Sequence, residues 1–261
     1  MKQSTPRHGR LQAAYTQPSC LQALPIELNK CKRTGIVPLM LAMGILGAAY
    51  AFANFAIRKN TLLSLPMAPM DILLTQVYGM IMVLNMFGII VAACIMYAME
   101  FRGGAVKKLH MLPVSMSYIY LCKFLILTAL LLVAVCLQQG ALAIIGASDL
   151  PQGTFDVPTL LVFAGYSFLT SMPVLSFMLF AASRFENMWV PLGIGVVGFL
   201  SGMALAPTGL ALCMALPFVV MLQPAVAMSA APTCEVVIPS LVETALFIWL
   251  GAWTAQHVHY E

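Results

Sequence analysis

Charge is what this sequence has least of. Only 8% of its 261 residues are Asp, Glu, Lys or Arg, against 61% hydrophobic residues. A soluble domain carries about 25% charged residues. So little charge cannot cover a globular surface, and a soluble globular class is excluded. The net charge of +4 does not point to nucleic acid, because the basic residues sit at the ends of apolar runs. The phosphate loop of ATPases is missing, so the chain does not bind ATP in that way. A metalloprotease helix motif and a serine elbow are missing too, which leaves no catalytic constellation. Seven cysteines are scattered, and Cys94, Cys122, Cys136 and Cys213 lie inside apolar segments. With only Cys234 on the expected outer side, no disulfide framework can be drawn. His257 and His259 flank Val258, but a solvated tail explains them better than a metal site, and no metal or other cofactor is assigned. A polar lead precedes the first apolar run where a short basic segment would open a signal peptide, so none is expected.

What is there is hydrocarbon length. A membrane-crossing helix needs about 20 apolar residues. Six stretches meet that: Val37–Ile57, Ile72–Tyr97, Tyr118–Ile145, Thr159–Ala182, Val190–Ala206 and Val236–Thr254. The fold class is therefore all-α, a polytopic membrane protein with six transmembrane helices. Lys123 falls inside the third stretch and is expected to snorkel back to its nearer face. Pro173 predicts a kink in the fourth. Gly198 and Gly202 in the fifth have a spacing that lets helices approach closely. Residues 207–235 fit no simple loop. Leu210–Leu222 is apolar but short, and Pro207, Pro217, Pro224 and Pro232 break the region. Re-entrant helices between spans five and six are the expectation, and a seventh span is the alternative.

Charge bias sets orientation. Lys2, Arg7, Arg10, Lys30, Lys32 and Arg33 precede the first span, and Arg102, Lys107, Lys108 and Arg184 lie in the second and fourth loops. Only Arg58 and Lys59 lie on the other side. The positive-inside rule puts both termini in the cytoplasm of a multi-pass protein. The expected organisation is a cytoplasmic tail and interfacial helix over 1–36, a transmembrane domain over 37–254 and a short tail over 255–261. The interfacial helix is expected over Ile26–Arg33, ending at Gly35, with its basic residues toward anionic membrane lipid.

One interior stretch is both charged and amphipathic: Glu100 to Lys123, EFRGGAVKKLHMLPVSMSYIYLCK. Gly103 and Gly104 weaken the helix leaving the membrane. Phe101, Ala105, Leu109 and Leu112 share one arc at helical spacing, with Lys107 and His110 opposite and Lys108 at the edge. Pro113 ends the short helix, and Ser115 or Ser117 can cap the next. Taken alone, this is either a loop that only sets topology or an elbow that touches a partner protein.

The Glu, the Gly-rich turn, the basic helix, the Leu-Pro-Val-Ser step and the Lys opening a new span resemble the second-to-third-span loop of ABC type-2 exporter permeases. The sequence is most similar to the lantibiotic (bacteriocin) immunity permeases, and Glu27-Leu28-x-Lys30 resembles their usual opening. The resemblance implies that this loop is a coupling helix docking into a separate ATP-binding subunit. Glu100, Arg102, Lys107, Lys108, Leu109 and Pro113 would then be its coupling residues. It also implies a second permease copy or paralogue as partner, a bacterial plasma membrane location, and no enzymatic activity in this chain, since ATP would be hydrolysed on the ATP-binding subunit.

Polar groups within spans are the remaining leads, since charge in hydrocarbon is costly and often functional. Glu243, Gln76, Gln138 and Gln139 map to the outer halves of their spans. They would line a cleft for an amphipathic, cationic peptide or small molecule, or they would hydrogen-bond one another and glue helices together. The function expected is export of lantibiotic-like peptides for immunity. The alternatives are another cargo, such as a drug or lipid, or an ATP-independent carrier or scaffold. Secondary carriers show internal repeats, and none is visible here.

Overall fold

The computed structural model describes residues 20–101, 116–151, 153–227 and 229–257. Among them there are helices and turns and no strand. That is what a membrane chain must do, because hydrocarbon offers backbone N–H and C=O groups no water partner and helices satisfy them internally.

Helix α1 (Cys20–Arg33) comes first. Thr34 closes its end, its hydroxyl donating to the Cys31 carbonyl at 2.9 Å. Gly35 then turns the chain at φ 78°, a left-handed conformation that glycine adopts without a Cβ clash. Among the described residues six helices long and apolar enough to cross a membrane follow. They are α2 (Ile36–Leu63), α3 (Pro69–Phe101), α4 (Met116–Asp149), α5 (Val157–Ala182), α6 (Trp189–Thr208, its last turn tightened to 3₁₀) and α8, whose helix runs Cys234–His257. Between α6 and α8 lies α7 (Pro217–Val226).

The spans alternate in direction. Lys59 near the end of α2 pairs with Asp149 at the end of α4 at 2.6 Å, fixing one end of the bundle. At the other end the Ser117 hydroxyl, in the first turn of α4, donates to the Ala252 carbonyl of α8 at 2.6 Å. Each span outruns its apolar core at one or both ends, so Arg58, Lys59 and Asp149 are helical rather than in loops. The helical hydrogen-bond ladder does not stop where hydrophobicity stops, since headgroup-level side chains stay solvated. Likewise α1 starts six residues before the expected Ile26. Helix α5 runs on through Pro173.

The seventh-span alternative does not hold. At ten residues α7 is about 15 Å long, half of the ~30 Å hydrocarbon thickness. It is nevertheless buried from Pro217 through Pro224. The Gln223 side-chain amide donates to the Ala206 carbonyl at 3.3 Å and closes the hairpin with the end of α6. The α6 glycines make the seat: a Cβ on Gly198 would stand 2.2 Å from the Phe218 ring, and one on Gly202 3.0 Å from Phe218 Cβ. The spacing noticed in the sequence thus accepts an aromatic of the re-entrant helix. The Asp71 carboxylate receives the Ala230 N–H at 3.0 Å and ties the far side of this cap to α3.

Candidate functional site

Among the described residues two polar constellations interrupt the apolar bundle, and a third group stands apart from them. The first lies at the end of the bundle that carries α1. Lys123 sits seven residues into α4, about 10 Å along the helix from its start, and its side chain is only 2% exposed. Its ammonium lies 2.9 Å from Glu27 Oε2 on α1 and 2.8 Å from Glu100 Oε1 at the end of α3. Lys30, on the rim, pairs with Glu27 one turn away and stands 3.9 Å from Glu100. The Tyr97 ring faces the Lys123 ammonium at 5.4 Å. Two lysines and two glutamates thus balance. A lone buried charge would cost several kcal/mol, so each ion requires the others. Burial alone would raise the pKa of the Glu27 carboxyl. The Lys123 ammonium, joined by Lys30, outweighs it and holds the group below its ordinary 4.5. A cavity of about 210 Å³ opens beside the cluster, lined by Cys31, Thr34, Met96 and Met99 as well as the ions.

The second constellation is an amide layer deeper in the bundle. Asn85 of α3 and Gln138 of α4 exchange two hydrogen bonds. Asn85 Nδ2 donates to Gln138 Oε1 at 2.9 Å, and Gln138 Nε2 donates to Asn85 Oδ1 at 2.7 Å. Gly47 of α2 makes room for this pair, since a Cβ there would meet Gln138 Nε2 at 2.7 Å. Gln139 points instead to α5, where its amide reaches the Ser167 hydroxyl at 3.5 Å.

Glu243 is the third group. The inner face of α8 carries Val236, Ser240, Glu243, Gly251 and Thr254, all buried at three- and four-residue spacing. Phe247, between them, meets the Phe177 ring of α5 at 5.1 Å. Gly251 lets Tyr120 of α4 lie against the backbone, and the Tyr120 hydroxyl reaches the Phe247 carbonyl at 3.4 Å. Glu243 is 8% exposed, and neither carboxylate oxygen has a hydrogen-bond partner among the described residues.

The residues singled out in the sequence therefore separate. Glu100 faces inward to Lys123. Arg102, Lys107, Lys108, Leu109 and Pro113, with the rest of the expected short helix, lie outside the described residues. Gln138 and Gln139 are buried in helix–helix hydrogen bonds, and Gln76 is half-buried in a π-helical turn, Ile72–Val77, within α3. Glu243 bonds to none of these glutamines. His257 ends α8, and His259 lies outside the described residues. Sequence reasoning missed the partnership of Glu27 with Lys123, taking Lys123 to reach back to the membrane face. The available signal was its depth: a lysine two turns into an apolar helix needs a carboxylate, and the acids near that end are few.

A family model described as ABC-2 family transporter protein matches residues 23–202, which run from within α1 into α6. No curated protein and no solved structure matches the chain.

Proposed function

The chain belongs to the ABC-2 family of transporter proteins, and on that premise we propose that it couples ATP hydrolysis on a separate subunit to expulsion of cationic amphipathic peptides of the lantibiotic type. As a membrane-embedded permease subunit of an ABC transporter it partners an ATP-binding subunit. In the proposed assembly it pairs with a second copy or a paralogue in the bacterial cell membrane, with both termini in the cytoplasm. Residues 102–115 are the contact with the ATP-binding subunit, and Lys107 and Lys108 supply its charge.

The observation that carries the coupling reading is the Glu100–Lys123 ion pair at 2.8 Å. It joins the two spans that flank residues 102–115 at the base of that loop. A push on the loop then moves both spans as one body instead of being absorbed at either root. For the cargo, support comes from Glu243. A buried carboxylate with no hydrogen-bond partner among the described residues suits the ammonium group of a cationic peptide.

The test is reconstitution with the ATP-binding subunit in proteoliposomes. Lys107→Glu with Lys108→Glu should leave the complex assembled or weakened but cut peptide-stimulated ATP hydrolysis. If that double variant copurifies and transports normally, the loop is not the coupling element. Glu243→Gln should lower peptide protection in cells while assembly stays intact, and unchanged protection at normal expression removes Glu243 from cargo recognition.

A further inference from the structure

The ion cluster reaches further than the roots of the loop. Lys123 touches a carboxylate on each of two other elements, Glu27 on α1 and Glu100 on α3, while its own backbone belongs to α4. Only α1 is not a membrane span among these three. Lys30 adds a second tie from α1 toward Glu100. Beside the ions, α1 also buries Cys31, which is 2% exposed and lines the same cavity.

We infer that Lys123 is a positioning residue: clamped between Glu27 and Glu100, it latches α1 to the base of the 102–115 loop, so that α1 moves with the spans α3 and α4 as one lever. The physical reason is the cost asymmetry of buried ions. With all partners present the charges of the cluster balance. If α1 moved away alone, it would take Glu27 and Lys30 with it. Lys123 and Glu100 would keep each other, but Lys123 would lose half its counter-charge in a low-dielectric site. Small displacements of α1 relative to α3 and α4 are therefore opposed more steeply than apolar contact alone would oppose them. The inference rests on the coupling reading of the loop for its consequence in transport, but the latch itself is measurable without the ATP-binding subunit.

The experiment uses the full chain carrying Cys31 as its single cysteine, in detergent and in proteoliposomes, with a small thiol reagent as probe. In the parent protein Cys31 should react slowly. Lys123→Met should speed its labelling by about a hundredfold or more, the scale set by breaking a buried ion pair. A purely structural role is separated by the triple variant Glu27→Gln, Glu100→Gln, Lys123→Met, which leaves no buried ion. That variant should recover the thermal stability lost in Lys123→Met, yet keep Cys31 fast and keep the ratio of transport to ATP hydrolysis low when reconstituted. Slow Cys31 labelling in both variants would overturn the latch. So would a triple variant that regains full coupling, since the ions would then serve stability alone. Lys107→Glu with Lys108→Glu acts as the independent arm. Its Cys31 should stay protected, and normal coupling there would sink the loop reading while leaving the Cys31 result to judge the latch.

Discussion

A glutamate whose two oxygens are both buried and unpartnered destabilises the chain that carries it, so its retention asks for a reason outside folding. Among the described residues Glu243 is such a residue. Burying a polar group without a hydrogen bond costs about 1–3 kcal/mol by protein mutational measures. Glu243→Leu should therefore raise the thermal midpoint in detergent, by a few degrees, while abolishing peptide protection. A lowered midpoint would mean that Glu243 serves the fold. The Asn85–Gln138 pair is the opposite case. Both amides bond one another, so Gln138→Leu should strand Asn85 and lower stability by about 1–3 kcal/mol, while Asn85→Leu should cost less, because Gln138 keeps the Tyr78 hydroxyl and the Met43 carbonyl, each at 3.4 Å. Changing both should cost less than the sum, with a coupling near the 0.6–1.7 kcal/mol found for hydrogen bonds between membrane helices. A double-mutant cycle of unfolding free energies reads this directly, and strict additivity would show the pair to be energetically idle.

At the level of elements, α1 and α7 are both short helices held by what they bury. For α1 the holding force is electrostatic and should depend on pH in one direction. Burial raises the Glu27 pKa, but Lys123 and Lys30 outweigh it and leave the carboxyl lower in the folded protein than when unfolded. The stability it contributes is then fully present above about 4.5 and is lost as pH falls through the folded value. Cys31 labelling should stay flat from neutral pH down to that point, once corrected for thiolate fraction, and α1 docking should weaken only below it, as seen by hydrogen exchange of α1 amides. Loosening nearer pH 6 would assign the hold to another group. For α7 the holding force is shape. Gly198→Leu puts a branched side chain where the Phe218 ring lies and should displace α7, costing about 1–3 kcal/mol as overpacked cores do. The same substitution at Gly193, which has open space around it, should be tolerated. These elements also mark the limit of what the residues announce. Span number, the too-short Leu210–Leu222 stretch and the Gly198/Gly202 spacing were legible, because hydrocarbon thickness and helix rise convert them directly into lengths and close approaches. Span ends were not, because hydrogen-bonded helix continues past the apolar core. Nor was the destination of Lys123, because an ion pair between residues 96 positions apart leaves no periodic trace.

At the level of the whole molecule, the coupling reading depends on which end of the bundle faces the cytoplasm. The structure returns α1, the Glu100–Lys123 pair and the α5–α6 turn to one end, and the Lys59–Asp149 pair to the other. In the proposed orientation the first end, which carries Lys30, Lys32 and Arg33 before the first span and Arg184 in that turn, faces the cytoplasm, as the positive-inside rule expects. Cys234 begins α8 at the opposite end and is exposed. A variant keeping Cys234 alone should then react with a membrane-impermeant thiol reagent added to intact cells. A cysteine placed at Glu186, in the α5–α6 turn, should react only after the membrane is opened. An ATP-binding subunit acts from the cytoplasm, so the pattern has a functional corollary. The purified permease alone should hydrolyse no ATP, and adding it to its ATP-binding subunit should make hydrolysis respond to peptide. Labelling of position 186 from outside would place residues 102–115 beyond the reach of any cytoplasmic ATPase. The family membership would stand, but the direction of force through Glu100 and Lys123 would have no source.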